Sequence, residues 1–257
     1  MSTGPKVLLF DLETAPIIAH VWGLWDQNVG LNQIIKDWHI LAWAAKWLGK
    51  KEIIYKDQRY AKSIQDDKAL IKPLWSLLDE ADIVITQNGK SFDQKRVFGR
   101  FIQNGFQKPS SFKHIDIKLV AKKHLFFPSY KLEYMAKALG CKNQKMTKRK
   151  FEGFELWSEC LKGNPRAWEE MEKYNKLDVL VLEEVYHKLQ PWDSSVNFES
   201  YSTLEQMLCN CGSMNFKRNG LYYGPTSVYE RFKCNLCGAE KRSRKNIQKR
   251  ALSVGSS

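Results

Sequence analysis

No apolar run among the 257 residues approaches the roughly 18 that a membrane-spanning helix needs, which argues against such a helix. The N-terminus does not read as a secretory leader, because Asp11 and Glu13 interrupt its short apolar stretch. No internal repeat is visible, which sets aside repeat architectures. Acidic residues are scarce beside basic ones, 28 against 41, leaving a formal net charge of +13. Such a balance fits a polyanionic partner, nucleic acid before an anionic membrane surface, with an ordinary basic soluble protein as the alternative. Cysteine is also sparse. Cys141 and Cys160 stand alone, and Cys209, Cys211, Cys234 and Cys237 gather near the C-terminus. That is no secreted disulfide framework. In a reducing compartment the grouping favours a metal, and the expected location is cytoplasmic.

The chain has enough apolar residues, 43% of the total, to build one full-sized domain and a small one. Residues 6–14 read as a strand. Residues 39–47 and 52–56 read as a hairpin turned at "GKK". Helical spacing covers 66–81, "DIVITQN" (82–88) is a strand, and 91–105 is a helix closed by Gly105. Residues 111–125 begin extended and turn helical, and 130–140 form a short helix stopped by Gly140. "CKNQKMTKRK" (141–150) has five Lys or Arg and no acid, and is expected to be a mobile loop. The longest helix spans 164–191, with Asn164 as cap, Pro165 in its first turn and Pro191 at its end. The expected division is a domain at 1–190, a linker at 191–205, a small unit at 206–245 and a basic flexible tail at 246–257. Sheet and helices mixed in this way point to a layered α/β domain.

Three places break the apolar pattern. Asp11 and Glu13 lie two residues apart in the first strand, so both face one side of it. Asp178 and Tyr174 fall on the apolar stripe of the long helix, in line with Trp168, Met171, Leu182, Val185 and Leu189. Asp93 follows the strand 82–88, where open α/β sheets gather their sites. Taken singly, each has an ordinary reading: Asp93 charging a helix start, Asp178 pairing with a Lys, Asp11 bonding turn amides, Tyr174 packing. Together the four carboxylates would repel by about 4 kcal/mol per pair at 4 Å and an effective dielectric of 20. Cations relieve that, and oxygen-only ligands suit Mg2+ or Mn2+. Two such ions roughly 3.5–4 Å apart clamp the attacking and leaving oxygens of a phosphodiester.

"FDLET", "NGKSFD" and "YNKLD" resemble the three ordered motifs of the DEDD 3′→5′ exonucleases of the ribonuclease H-like superfamily. The resemblance is nearest to relatives of the proofreading domain of family-B DNA polymerases and covers about residues 6–190. It implies an α/β fold with a ribonuclease H-like mixed sheet flanked by helices. It also implies that Asp11, Glu13 and Asp178 hold the metal carrying the attacking water. Asp11 would bridge to a second metal, held on its other side by Asp93. Tyr174 would orient and help deprotonate the nucleophile, as in the Tyr branch of the family; the other branch has His five residues before the last Asp, where this chain has Lys173. Leu12, Asn88 and Phe92, lying within the motifs, become the expected substrate contacts. "NGKS" (88–91) is not a phosphate-binding loop, since Val84 stands where that pattern needs Gly. Trp22, Trp25, Trp38, Trp43 and Trp47 are expected to be core residues before base-stacking ones, although 15–38 is a reasonable place for substrate contacts.

"CNCG" and "KCNLCG", with 22 residues between them, look like the paired knuckles of a zinc ribbon holding one structural Zn2+. The first pair has one intervening residue where two are usual, and a redox or disulfide pair is the alternative. Residues 206–257 carry ten Lys or Arg against two Glu, which favours nucleic-acid contact over protein docking. The reading is a two-metal-ion exonuclease acting on single-stranded DNA 3′ ends and releasing 5′-mononucleotides. A polymerase or a replication or repair protein is a candidate partner, and no membrane is involved. The alternatives are an exoribonuclease of the same fold or a non-catalytic nucleic-acid-binding module.

Overall fold

A computed structural model describes residues 4–144, 146 and 149–248. Most of the tail at 246–257, and three positions of the basic segment 141–150, lie outside the described residues. The chain divides into two compact units, one of Lys6–Val185 and one of residues 186–248 with 4–5.

The larger unit is a five-stranded mixed sheet with helices on both faces. Its strands are β1 (Val7–Thr14), β4 (Ile40–Trp47), β5 (Ile54–Asp57), β6 (Ile83–Thr86) and β7 (Lys113–Asp116), in the order β5-β4-β1-β6-β7. A separate small pair, β2 (Ile18–Ala19) and β3 (Ile34–Lys36), lies in the excursion between β1 and β4. β1 pairs antiparallel with β4 and parallel with β6. The helices are α1 (Lys68–Glu80), α2 (Asp93–Gln103), α3 (Ile117–His124), α4 (Leu132–Ala138), α5 (Glu155–Leu161) and α6 (Pro165–Leu189). Every expected element appears, with ends shifted by a residue or two. α5 and the β2–β3 pair were not foreseen.

β1 explains how the sheet is sandwiched. Its alternate residues Leu8, Phe10 and Leu12 enter a core with Trp43 of β4, Leu70 and Leu74 of α1, and Val97 and Phe101 of α2. Leu9, Asp11 and Glu13 take the opposite face. There Lys46, paired with Leu9 in register, meets Glu183 of α6 at 2.6 Å. Asp11 and Glu13 stand opposite Ala44 and Ala42, whose small side chains leave room for α6 to come close. α6 starts as its sequence demands: the Asn164 side chain accepts the Arg166 N–H at 3.1 Å, and Pro165 donates nothing.

Two expectations are corrected. Trp22 and Trp25 are 97% and 84% exposed, because the excursion carrying them lies off the sheet, whereas Trp43 is fully buried and its indole N–H is bonded to the Leu70 carbonyl. The basic segment 141–150 is tied down where it is described. Lys142 and Asn143 donate backbone N–H groups to Glu184, Lys150 donates to Glu170, and Met146 packs beside Trp168 and Met171. Two α6 carboxylates thus fasten a stretch that its composition alone would release.

The smaller unit is a three-stranded antiparallel sheet of β8 (Phe216–Tyr223), β9 (Val228–Cys234) and β10 (Glu240–Arg242), in the order β10-β9-β8. With the four-cysteine cluster, this unit is compatible with the expected ribbon. No helix among the described residues is long and apolar enough to cross a membrane.

Candidate active site

β1 and α6 bring Asp11, Glu13 and Asp178 together, with carboxylate oxygens from all three within 4.8 Å of one another. Glu13 and Asp178 are buried, and Asp11 is half-buried. Two neutral donors orient the pair on the strand. The Asn175 side-chain amide donates to Asp11 Oδ2 at 2.7 Å, and the Trp157 indole N–H donates to Glu13 Oε2 at 3.0 Å. Asn175 precedes Asp178 by one turn, so one helix face supplies both the carboxylate and its neighbour's donor.

Tyr174 lies among these groups. Its ring meets Trp157 edge-on at 5.9 Å, and the Arg149 guanidinium sits 4.4 Å from its centre. Burial, followed by the charges of Asp178, Glu13 and Asp11, pushes its phenol far above the usual range, with Arg149 acting against them. The hydroxyl therefore stays protonated and offers a hydrogen bond.

Asp93 is not within the mutual reach of the other three. It opens α2 and accepts the backbone N–H of Leu12, which ties it to the strand between Asp11 and Glu13. Burial pushes its carboxyl up to about 7, with Asp116 adding to the rise, while its own N–H, the Leu12 N–H and Arg96 favour ionisation. Gln94, the next residue, is held by His114. The imidazole Nδ1 donates to Gln94 Oε1 at 2.7 Å, which leaves Nε2 to accept from the Thr86 hydroxyl at 2.7 Å. Burial brings His114 down to about 4, so it is neutral.

The three expected substrate contacts occupy different settings. Leu12 points into the core, 5% exposed. Asn88 has a φ of 63°, its N–H bonds Asp116 and its side-chain oxygen accepts from Lys118 Nζ at 3.0 Å. The turn continues into Gly89, where a Cβ would fall 2.1 Å from the Thr86 hydroxyl oxygen, so only glycine fits. Phe92 lines a cleft of about 510 Å3 together with Thr14–Ile17, Trp38, Phe154 and Trp157, and the Arg96 guanidinium lies 3.5 Å over its ring. A second hollow of about 430 Å3 lies beyond Asn88, with Lys118, Lys122 and Lys131 along its wall. Trp157, Asn175 and Arg149 escaped sequence reading. Asn175 carried a faint signal as a polar residue between Tyr174 and Asp178, and the structure buries it wholly.

In the smaller unit, Cys209, Cys211, Cys234 and Cys237 offer four sulfurs within 4.8 Å of one another. Cys209 lies 3.5 Å from Cys237, and Cys211 lies 3.7 Å from Cys234. Both pairs are built as knuckles. Gly212 and Gly238, at φ 84° and 80°, return their N–H groups to the carbonyls of Cys209 and Cys234. The shorter first turn closes one residue sooner than the second, which is how one intervening residue suffices. Burial acts to raise the Cys234 thiol. The N–H groups of Cys237 and Leu236, with the Ser213 hydroxyl and Cys211, bring it down to about 6. Burial pushes the neighbouring Cys209 and Cys211 thiols the other way, upward.

A family model described as RNase_H superfamily (RNase_H_2) matches residues 37–190, a stretch that holds Asp93, Tyr174 and Asp178 but begins after Asp11 and Glu13. No curated protein matches the chain. Among solved structures, the family B DNA polymerase from the hyperthermophilic archaeon Pyrobaculum calidifontis is similar at a TM-score of 0.50 and 12% identity. The likeness is one of fold. It covers 76% of this chain and 26% of the polymerase, so the chain corresponds to about a quarter of that protein.

Proposed function

The chain belongs to the RNase H superfamily, and from that premise we propose that it is a two-metal-ion 3′→5′ exonuclease acting on single-stranded DNA ends. The superfamily is one of nucleic-acid-processing hydrolases. The observation that carries the finer reading is the convergence of Asp11, Glu13 and Asp178 from β1 and α6 within 4.8 Å, beside Tyr174.

These residues fit hard divalent cations. All donors are oxygens, two of the three carboxylates are buried, and Asn175 and Trp157 orient the pair on β1. Asp11, Glu13 and Asp178 would hold one Mg2+ or Mn2+, and Asp93, beside Leu12, would hold the second. Bound there, the ions supply a more acidic water and stabilise charge developing at the phosphodiester. Tyr174 would orient the attacking oxygen through its hydroxyl. The cleft of Trp38, Phe92 and Trp157 offers flat apolar walls and the Arg96 cation for the terminal base. The lysines past Asn88 offer charge to phosphates further along the strand.

The four-cysteine site fits a closed tetrahedral Zn2+, which would hold together a unit with little apolar core. A polymerase or other replication or repair protein is the partner class that the fold likeness suggests.

The test is digestion of 5′-labelled and 3′-labelled DNA and RNA oligonucleotides with Mg2+, with Mn2+ and with EDTA. Metal-dependent release of mononucleotides from the 3′ end of single-stranded DNA supports the reading. Cleavage confined to RNA, or none at all, overturns it.

A further inference from the structure

The two faces of the β8–β9–β10 sheet differ in how their charges are met. Cross-strand partners share a face, so Arg218, Phe232 and Lys241 stand together, as do Leu221 and Glu230. On that face the cations are paired: Arg218 with Glu230 at 3.1 Å, and Lys241 with Glu199 at 3.0 Å. The other face carries Lys217 opposite Lys233, Arg231 opposite Arg242, and Tyr222 opposite Tyr229, with Glu240 beside Lys233 as its carboxylate. Among the described residues, Lys217, Lys233 and Arg242 make no ion pair. Like charges set directly across a ladder repel, and here two such pairs occur on one small face.

The same face presents flat groups. The Arg242 guanidinium lies 4.0 Å from the Tyr229 ring centre and 5.7 Å from that of Tyr222. The two tyrosine rings are 6.4 Å apart. Tyr222 is 46% exposed and Arg242 is exposed. Tyrosine rings and a stacked guanidinium are surfaces on which unpaired bases lie, and lysines flanking them match a phosphate backbone. A protein partner would need apolar anchors, and this face has none beyond the tyrosines.

We infer that this sheet face is a binding platform for single-stranded nucleic acid, with bases on Tyr222 and the Arg242–Tyr229 stack and phosphates on Lys217, Lys233 and Arg231. The inference rests on the nucleic-acid reading above and extends it to a site remote in sequence from the carboxylates.

The test uses the full chain carrying Asp178→Ala to prevent hydrolysis, with a fluorescein-labelled oligo-dT strand. Anisotropy gives the affinity at several KCl concentrations between about 50 and 200 mM. Lys217→Ser combined with Lys233→Ser should flatten the log–log salt slope by about 1.4, at about 0.7 per phosphate on a single strand. Tyr222→Ala should weaken binding roughly tenfold with little change in slope. Arg218→Ser, on the paired face, should leave the slope as it was. Zinc content and the thermal transition, measured for each variant, separate lost contacts from lost folding. An unchanged slope in the double variant, or an equal flattening by Arg218→Ser, overturns the platform. Hydrolysis by the chain without Asp178→Ala is scored separately. A chain that digests DNA while the slopes stay equal loses the platform and keeps the nuclease. One that shows the slopes but digests nothing keeps the platform and loses the nuclease.

Discussion

The side-chain amide of Asn175 reaches from α6 to Asp11 on β1, with Nδ2 2.7 Å from Oδ2. This bond orients a carboxylate that the strand alone leaves free to rotate about its side-chain torsions. Outer partners of metal ligands typically matter by about 10–100-fold in affinity or activity. Asn175→Ala should therefore lower turnover by that order and raise the Mg2+ concentration needed for half-maximal activity. A purely structural role would lower stability and leave the Mg2+ dependence alone. Titration of activity with Mg2+ in the variant and the parent separates the two.

Tyr174→Phe removes the hydroxyl and keeps the ring against Trp157 and Arg149. The fold should be retained, and the single-turnover rate should fall within about 10²–10⁴-fold, less than for loss of Asp178. An unchanged rate would return Tyr174 to a packing role.

Much of this site was legible because its residues violate local patterns. Two acids in a buried strand and one on an apolar helical stripe stand out against period-2 and period-3.6 alternation. The caps of α6 and the cysteine spacing were equally local. What escaped depends on contacts distant in the chain. Trp157 reaches Glu13 across 144 residues, and no feature of its own helix marks that hydrogen bond. Arg149 looked like one more charge in a solvated run, yet Glu184 and Glu170 of α6 fix the segment around it. The exposure of Trp22 and Trp25 was missed because aromatic content predicts burial only where an element is there to cover it. Asn88 gave no sign of its positive φ beyond the Asn-Gly pair, which in sequence reads equally well as an ordinary turn.

His114 gives the protein a pH dependence of known sign. Its folded value of about 4 lies below its unfolded value of about 6.5, so the unfolded chain binds the extra proton between these limits. The stability it contributes is complete above about pH 6.5 and is lost as pH falls towards 4, at about 1.4 kcal/mol per unit. The loss approaches about 3 kcal/mol in all. His114→Gln should show a shallower decline than the parent across that window, read from urea unfolding at several pH values. Parallel declines would contradict a neutral, buried His114.

Cys234→Ser removes one sulfur from the four-cysteine cluster. The variant should bind no zinc, and its small unit should become sensitive to protease. The carboxylates all precede this unit in the chain, so digestion of a short strand at saturating concentration should persist. Retention of stoichiometric zinc by the variant would rule out the four-sulfur site.

The most direct test of the account compares the parent with Asp11→Ala and Asp178→Ala on a 5′-labelled single-stranded DNA in Mg2+. The parent should shorten the strand one nucleotide at a time from its 3′ end, releasing 5′-mononucleotides. Both variants should lose that activity while keeping the parent's fold and its affinity for the strand, since each removes a carboxylate of the cluster. Near-normal turnover in either variant would contradict the assignment of this cluster as the reaction centre.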